Sequence, residues 1–256
     1  MKTCIWCRQN DSTNSFKNKA HTIPKTLGGK YICKTVCDKC NSYFGNIQNR
    51  IPSIETVFKE TFNISRLILL DSSNDVGKNK SLARFKSELF KVNLKLRKVR
   101  VKPKYSLRPN FQKNMARQLK RGIYKVYLEE RERQIGDALD EKFDFIREFS
   151  RYNVGDFPLI YFKRKNGIMI MLDEWNKSPK LIFDKEYRMK YLINDNNFFE
   201  FELLGHVLGI TTSRHFSLTI DIYLRETKKA KKEIFAEMFP IEKFNDFDLT
   251  LKIMAD

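Results

Sequence analysis

Five cysteines lie within the first 40 residues, and four of them form two Cys-x-x-Cys pairs. Thiolates three residues apart can point at one ion, and two such pairs complete the tetrahedral shell that zinc prefers. We therefore predict a zinc site, with a redox pair or unrelated thiols as the alternatives. A four-thiolate site has no open position for catalysis, so this zinc would be structural. The predicted ligands are Cys4, Cys7, Cys37 and Cys40.

The fifth cysteine, Cys33, lies in the apolar segment "YICKTVC". We interpret it as a small apolar residue of a strand, with replacement of a zinc ligand as the alternative. The N-terminus leads directly into Lys2 and Cys4 without a recognisable export signal, which favours a cytoplasmic protein with reduced thiols.

His21, one of only three histidines, lies in the loop between the two cysteine pairs. The segment "AHTIP" predicts a short strand that ends at Pro24, and Gly28 and Gly29 predict a turn. A second strand, "YICKTV", follows, and "NSYFGNIQNRI" predicts a helix after the second cysteine pair. The order strand, loop, strand, helix predicts a ββα unit stapled by zinc.

Together these residues resemble the HNH, or ββα-metal, endonucleases. The pattern C-x₂-C, "AHTIP", "GG" and "VCDKCN" is similar to the zinc-stapled branch that includes phage recombination endonucleases of the endonuclease VII kind. The resemblance covers residues 4 to about 50. It implies metal-dependent hydrolysis of phosphodiester bonds in DNA, with His21 as the general base. It also implies that Asn41 is an amide ligand of one catalytic ion, Mg²⁺ or Mn²⁺.

The sequence departs from this family at one important position. The family usually carries an acidic metal ligand directly before the histidine, and here that residue is Ala20. Nearby oxygen donors are Asp38, inside the second cysteine pair, and the neutral side chains of Asn46, Gln48 and Asn49. Two interpretations follow: an active nuclease with a weak metal site, or a catalytically degenerate protein that contains zinc and binds nucleic acid.

Each of the two site residues also has a structural alternative. A histidine in a loop commonly makes hydrogen bonds that only hold the loop, and this alternative applies to His21. Asparagine is a favoured residue at helix N-caps, and this alternative applies to Asn41.

The net charge of +18 is concentrated in one half of the chain. Residues 1–130 carry 28 Lys and Arg against 9 Asp and Glu, whereas residues 131–256 carry 21 against 22. Such asymmetry favours a polyanionic partner, for which nucleic acid is the first candidate and DNA is preferred from the resemblance. The alternatives are a solvated surface or an acidic protein partner. The apolar runs are too short to cross a membrane.

Two basic segments follow the ββα unit. Residues 91–104 predict one strand with a bulge and a cationic face, because apolar residues alternate with Lys and Arg and then change phase. Residues 108–130 predict a helix with an apolar stripe facing the core and a basic stripe facing away from it. The predicted nucleic-acid-binding residues are Lys95, Arg97, Arg100, Lys113, Arg117, Lys120, Arg121 and Lys125.

The rest of the chain predicts further helices and strands. The helices are expected at 53–62, 140–152 and 228–239, and the strands at 65–70, in "FPLIYFKRK", "GIMIMLDEW" and "KLIFD", and as two long strands joined around "TTSR". His206 and His215 fall on those two long strands and are interpreted as ordinary sheet histidines. No nucleotide-binding glycine loop is present in this half.

The predicted fold class is α+β with a mostly antiparallel sheet. We predict three parts: a zinc-stapled nuclease domain (1–60), a basic strand and helix (61–130), and an α+β domain for targeting, regulation or dimerisation (131–256). The long strands could pair in a homodimer. Nucleases of this general build occur in phage defence and mobile elements, which is an analogy at the level of the fold.

Overall fold

The structure is a computed structural model that describes residues 1–72, 86–93, 96, 98–164, 177–183, 197–229 and 235–251. Within these ranges the chain forms eight strands and six α-helices, and all strand pairs are antiparallel. The fold is therefore α+β, as the sequence predicted.

The N-terminal unit has the predicted order of strand, strand and helix. Its strands pair with Ala20 opposite Cys33 and His21 opposite Ile32. The helix begins after Cys37, which is its N-cap residue. The three elements are β1 (Ala20–His21), β2 (Ile32–Cys33) and α1 (Asp38–Gly45).

Two glycines make the connection between β1 and β2 possible. Gly28 has a φ of 87°, in the left-handed region that other residues adopt at a cost. At Gly29, a Cβ atom would lie 1.9 Å from the carbonyl oxygen of Ile23, so any side chain there would displace the backbone. The predicted "GG" turn is confirmed.

Helix α2 (Ile54–Ser72) is longer than the sequence pattern indicated. The strand predicted at residues 65–70 is wrong, because these residues continue the helix. Buried side chains recur at helical spacing along α2, which packs beside the long helix α4 (Phe111–Gln134), with Phe58 against Gly122. These side chains are Phe58, Phe62, Ser65 and Leu69.

The segment after α2 forms a hairpin where one bulged strand was predicted. Strand β3 (Phe90–Asn93) pairs with β4 (Lys98–Val101), with Asn93 opposite Lys98. The change of phase in the sequence marks a reversal of the chain. The Asn93 side chain accepts a hydrogen bond from the Leu96 N–H at 3.0 Å, and asparagine commonly stabilises turns in this way.

Helix α4 runs through the centre of the molecule. Residues 118–130 are buried on every side of the helix, which differs from the amphipathic helix that was predicted. Two short helices flank it in the sequence, namely α3 (Pro103–Ser106) and α5 (Asp144–Ser150). The α5 helix confirms the helix predicted at 140–152, with a 3₁₀ turn at its start.

The C-terminal half contains a four-stranded sheet in the order β6-β7-β5-β8. Strands β6 and β7 are joined by a tight turn at Leu204 and Gly205, whose φ angles of 50° and 86° are typical of a two-residue hairpin. The strands are β5 (Leu159–Arg164), β6 (Phe198–Leu203), β7 (His206–Thr211) and β8 (Phe235–Pro240).

Several predictions in this half are wrong. The "TTSR" segment leads into helix α6 (Phe216–Lys229), so it does not join two strands. The spacing of the apolar residues in this segment fits the alternation of a strand as well as the period of a helix. The burial fits the helix, because Leu218 is exposed and Tyr223 is buried. The terminal helix is wrong from residue 235, where β8 begins. Residues 180–183 of "KLIFD" form no strand, and "GIMIMLDEW" lies outside the described residues.

One apolar cluster contains residues from Cys4 to Phe247, and a smaller one lies between α6 and the sheet. The predicted boundaries after residues 60 and 130 fall inside α2 and α4, and the main cluster has members on both sides of each. The division by role stays a prediction. None of the helices in the described ranges is long and apolar enough to cross a lipid bilayer.

Candidate active site and zinc centre

The four predicted zinc ligands come together. Their sulfur atoms all lie within 4.8 Å of one another, and the sulfurs of Cys7 and Cys37 are 3.8 Å apart. A tetrahedral zinc ion with Zn–S bonds of about 2.3 Å separates its sulfur ligands by roughly 3.8 Å. The donor set and its spacing therefore fit a structural zinc ion.

Hydrogen bonds and burial shift the pKa values of these thiols in opposite directions. A hydrogen bond from the Cys40 thiol lowers the pKa of Cys4 to about 5, whereas burial raises the pKa of Cys37 to about 11. The Cys37 N–H donates to the Cys4 sulfur at 3.4 Å, and Arg151 Nε donates to the Cys40 sulfur at 3.4 Å. Zinc uptake must displace the thiol protons that remain, so metal binding releases protons.

Cys33 lies outside this cluster. It is buried in β2, where burial raises its pKa to about 12 and keeps the side chain a neutral thiol. The alternative that Cys33 replaces a zinc ligand is wrong, because the other four sulfurs already form the group.

His21 is half-buried on β1. Its carbonyl oxygen accepts a hydrogen bond from Lys125 Nζ at 3.3 Å. Within the described ranges, no side chain or backbone group hydrogen-bonds to its imidazole. Among the described residues the imidazole therefore has no hydrogen bond that holds the loop together, which disfavours the structural alternative for this histidine.

Asn41 lies in the first half of α1, directly after the zinc ligand Cys40. Its backbone N–H donates to the Cys37 carbonyl at 2.9 Å, and its side chain is half-buried. Cys37 is the N-cap, so the alternative that Asn41 caps the helix is wrong. The zinc staple thus fixes the backbone that presents the Asn41 amide.

A buried ion pair supports the strand that carries His21. Lys125 Nζ lies 2.8 Å from a Glu129 carboxylate oxygen, and Trp6 Nε1 donates to the other oxygen at 3.1 Å. Burial raises the pKa of Glu129 to about 7, against the opposing effect of the Lys125 charge. Burial lowers the pKa of Lys125, but the carboxylates of Glu129 and Glu55 raise it overall. One ammonium group therefore connects helix α4 to the His21 backbone.

Further contacts dock the β1–β2 hairpin on the same end of α4. The Thr22 hydroxyl donates to Glu130, and the Thr35 hydroxyl donates to Glu132 at 3.0 Å. The Arg133 guanidinium lies 4.3 Å from the centre of the Tyr31 ring. The hairpin thus rests on a helix that lies about 100 residues further along the chain.

Residues 4–51 match the family model described as HNH endonuclease. The N-terminal segment is a zinc-stapled HNH domain. The match covers the cysteine pairs, His21 and Asn41, and it ends before α2 begins. No curated protein and no solved structure matches the chain.

The HNH domain has few donors for a catalytic ion. Ala20 is buried and has no ligand atom, and the Asp38 carboxylate accepts hydrogen bonds from the N–H groups of Lys17 and Asn18 at 3.2 and 2.8 Å. The half-buried oxygen donors at the domain and its border include the Asn41 amide, the Gln48 amide and the Glu55 carboxylate. Amide and carboxylate oxygens suit Mg²⁺ and Mn²⁺, so the donor types fit a hard divalent ion.

The predicted basic stripe of α4 does not face solvent at its C-terminal half. Arg121 is buried and donates to the carbonyl oxygens of Phe149 and Ser150 at 3.2 and 2.9 Å, and Lys125 is buried in the ion pair above. Burial and internal pairing therefore disfavour a nucleic-acid role for Arg121 and Lys125, which remains untested. The partners of Arg121 lie 28 and 29 residues away in the sequence, so no local pattern reveals them.

Two further cations of the stripe are engaged within the protein. Lys120 is buried and lies 2.7 Å from the Asp156 carboxylate. Arg117 donates to Asn153 and to the Gly155 carbonyl at 2.8 and 2.6 Å. Phosphate contact by Lys120 and Arg117 is therefore disfavoured.

A different basic surface lies on the β3–β4 hairpin. Lys91 and Arg100 are exposed and stand opposite each other across the two strands, and Lys98 is half-exposed nearby. Within the described ranges these three cations form no ion pair with a carboxylate. Lys113, at the start of α4, is also exposed. Of the remaining predicted residues, Lys95 and Arg97 lie outside the described residues.

A second link, which no sequence pattern indicates, joins the HNH domain to the C-terminal half. The Arg151 guanidinium lies 3.7 Å from the centre of the Tyr43 ring, while its Nε atom bonds to Cys40. Arg121 donates to the Tyr43 hydroxyl at 2.7 Å. The zinc centre is thus held by residues from α4 and from the end of α5.

Proposed function

We propose that this chain is a metal-dependent endonuclease that hydrolyses phosphodiester bonds in DNA through its HNH domain. The observation that carries the proposal is the His21 imidazole, which makes no hydrogen bond within the described ranges and lies on a strand of the HNH segment whose helix carries Asn41.

His21 would act as the general base. A neutral imidazole can take a proton from water near neutral pH, and the resulting hydroxide attacks the phosphorus atom. The Lys125 ammonium holds the His21 carbonyl at 3.3 Å, which limits movement of the strand relative to α4. Transfer of the proton to His21 needs no covalent intermediate on the protein.

Asn41 would hold the catalytic ion, Mg²⁺ or Mn²⁺, through its amide oxygen. When bound, such an ion stabilises negative charge on the phosphate and on the leaving oxygen. The zinc site fixes the start of α1, because Cys37 and Cys40 are ligands on either side of its first turn. The structural zinc therefore orients Asn41 without taking part in the reaction.

The basic surface of the β3–β4 hairpin would hold the substrate. A two-stranded β-ribbon fits the major groove of B-form DNA, and lysine and arginine on such a ribbon can contact the phosphates on either side. Lys91, Arg100 and Lys113 are exposed and are the residues that we assign to this role. Contacts of this kind position the duplex without reading its sequence.

A second candidate function is binding of nucleic acid without cleavage. The observation that favours it is Ala20, which is buried and lacks the carboxylate expected before the histidine. The two candidates share the zinc site and the basic hairpin, and they differ in turnover.

Incubation of the purified protein with supercoiled plasmid in Mg²⁺ or Mn²⁺ separates the candidates. Nicking or linearisation that disappears with EDTA and in His21→Ala is the result expected of the nuclease. A plasmid that is retarded on a gel but stays intact with either ion supports the binding protein. His215→Ala is a suitable control, because His215 lies before α6 and far along the chain from the HNH domain.

A further inference from the structure

Glu55 lies where the HNH domain meets α2. It is in the first turn of α2, outside the segment that matches the HNH family. One of its carboxylate oxygens lies 3.8 Å from Lys125 Nζ, the group that also contacts the His21 carbonyl. The other oxygen would lie 3.6 Å from a Cβ atom built on Gly45 of α1. The carboxylate therefore lies between the strand of His21 and the helix of Asn41.

Gly45 and Asn41 lie on the same side of α1, because they are four residues apart in a helix. Four residues correspond to about 6 Å along the axis, and an amide side chain and a carboxylate can span that distance when each binds the same ion at about 2.1 Å. Gly45 has no side chain, so the space between the carboxylate and the helix is open.

Other acidic side chains near the hairpin are already engaged. Asp38 accepts two backbone hydrogen bonds, and Glu129 accepts from both Lys125 and Trp6. Glu130 is buried and accepts from Arg133 at 2.7 Å. The side chain of Glu55, by contrast, is 37% exposed and can be reached from solvent.

The charges around Lys125 also leave the Glu55 carboxylate available to bind a cation. Lys125 lies 2.8 Å from Glu129 and 3.8 Å from Glu55, so its charge is compensated mainly by Glu129. With one ammonium between two carboxylates, the group of three carries an uncompensated negative charge when both acids are ionised. That charge favours a cation on the open side of Glu55.

We infer that Glu55 supplies the carboxylate ligand of the catalytic divalent ion, together with the Asn41 amide. The inference rests on the proposed nuclease function, since it concerns the same ion. Glu55 lies on α2, which follows the HNH domain, and it replaces the acidic ligand that is missing at Ala20. The site would then be complete only when α2 is packed against α1.

Binding of Mn²⁺ to the zinc-loaded protein tests this assignment directly. Titration calorimetry, with free Mn²⁺ measured by electron paramagnetic resonance, compares the wild-type protein with Glu55→Gln and Asn41→Ala. We expect each variant to bind Mn²⁺ at least 10-fold more weakly, because even indirect partners of a metal ligand contribute about 10- to 100-fold. Glu141→Gln removes an exposed acid from the start of the 3₁₀ turn before α5 and should bind Mn²⁺ like the wild-type protein.

Zinc content and thermal unfolding show whether each variant is folded. If Glu55→Gln loses zinc, Glu55→Asp takes its place; it keeps the charge but withdraws the carboxylate, and weaker Mn²⁺ binding is again expected. A folded Glu55 variant with wild-type Mn²⁺ affinity would overturn the assignment while leaving the nuclease proposal intact. A wild-type protein that neither binds Mn²⁺ nor cleaves plasmid would overturn both.

Discussion

Lys125 occupies a position in the sequence that is typical of a surface lysine on an amphipathic helix. In the structure it is buried, paired with Glu129 and bonded to the His21 carbonyl. A buried charge is tolerated when it is paired and its hydrogen bonds are made, and both conditions hold here. At the scale of single residues, the strand that carries His21 therefore depends on a buried cation of α4.

Replacement of Lys125 by Met should destabilise the protein. Removal of one member of a buried ion pair leaves the other charge uncompensated and typically costs about 3–5 kcal/mol. Urea unfolding of the zinc-loaded protein measures the change, with Lys229→Met at the exposed end of α6 as the control. A Lys125→Met protein that is as stable as the control would contradict the role of the pair.

Glu129 should also make stability depend on pH. Burial raises its folded-state pKa from 4.5 to about 7, so the folded state binds more protons than the unfolded state between these values. Its contribution is complete below about pH 4.5 and is lost as the pH rises through about 7. The difference in unfolding free energy between wild-type protein and Glu129→Gln should follow that course. A difference that is constant from pH 4.5 to 7 would show that Glu129 does not titrate in this range.

At the scale of elements, helices α2 and α4 and the β3–β4 hairpin position the functional groups. Helix α4 supports the β1–β2 hairpin from within, and α2 brings Glu55 to the border of the HNH domain. The β3–β4 hairpin carries exposed cations that include Arg100 of the predicted basic strand, whereas Arg121 and Lys125 of the predicted α4 stripe are buried. The proposed nucleic-acid surface is therefore the ribbon together with Lys113, while the basic residues of α4 from Arg117 to Lys125 make contacts within the protein.

The hairpin assignment predicts a specific effect on DNA binding. Lys91→Ala and Arg100→Ala should each weaken binding and reduce the slope of log K against log salt by about 1, because each removes one phosphate contact. Fluorescence anisotropy with a labelled duplex at several salt concentrations measures both quantities. Arg225→Ala, which removes an exposed cation from α6, should leave the slope unchanged. Equal slopes for all four proteins would exclude the hairpin as the DNA-binding surface.

At the scale of the whole molecule, the zinc centre and the C-terminal half share one apolar cluster. Members of this cluster run from Cys4 in the first cysteine pair to Phe247 near the end of the described chain. Arg151 of the second half and Arg121 of α4 add polar contacts to Cys40 and Tyr43. Loss of zinc should therefore destabilise parts of the protein outside the HNH domain.

Hydrogen exchange tests this connection with a matched pair of variants. Cys37→Ser removes a zinc ligand, and Cys33→Ala removes a buried cysteine that is not a ligand. We expect the first to lose zinc and to exchange faster in the β1–β2 hairpin and in residues 125–130 of α4, because the hairpin is docked there. The second should keep its zinc. Faster exchange confined to residues 1–51 in Cys37→Ser would show that the domain folds independently.

The sequence predicted the HNH unit well because its information is local. Cysteine spacing, Pro24, the two glycines and the residue after Cys40 each act within a few positions, so the ββα order follows from them. The surroundings of α4 could not be predicted in this way. The Glu129 partner of Trp6, the Glu130 partner of Thr22 and the Phe149 carbonyl partner of Arg121 lie 28 to 123 residues away, and nothing near these residues in the sequence indicates them.

The errors in secondary structure have a similar origin. The 65–70 and 216–224 segments are rich in Leu and Ile, whose spacing fits a strand and a helix equally well, and packing against α4 and the sheet decided between them. In residues 91–104 the alternation of apolar and basic residues changes phase, but a bulge and a turn produce the same change. The burial of α4 on all sides depends on elements that come before and after it in the chain.

The most direct test of the nuclease proposal is the single-turnover cleavage rate of His21→Ala on DNA that is already bound. With a labelled duplex, saturating protein and Mg²⁺ or Mn²⁺, anisotropy reports binding and gel electrophoresis reports cleavage. We predict unchanged binding and cleavage slowed by about 100-fold or more, because general-base catalysis contributes about 10²- to 10⁴-fold. Cleavage by His21→Ala at the wild-type rate would contradict the assignment of His21 as the base.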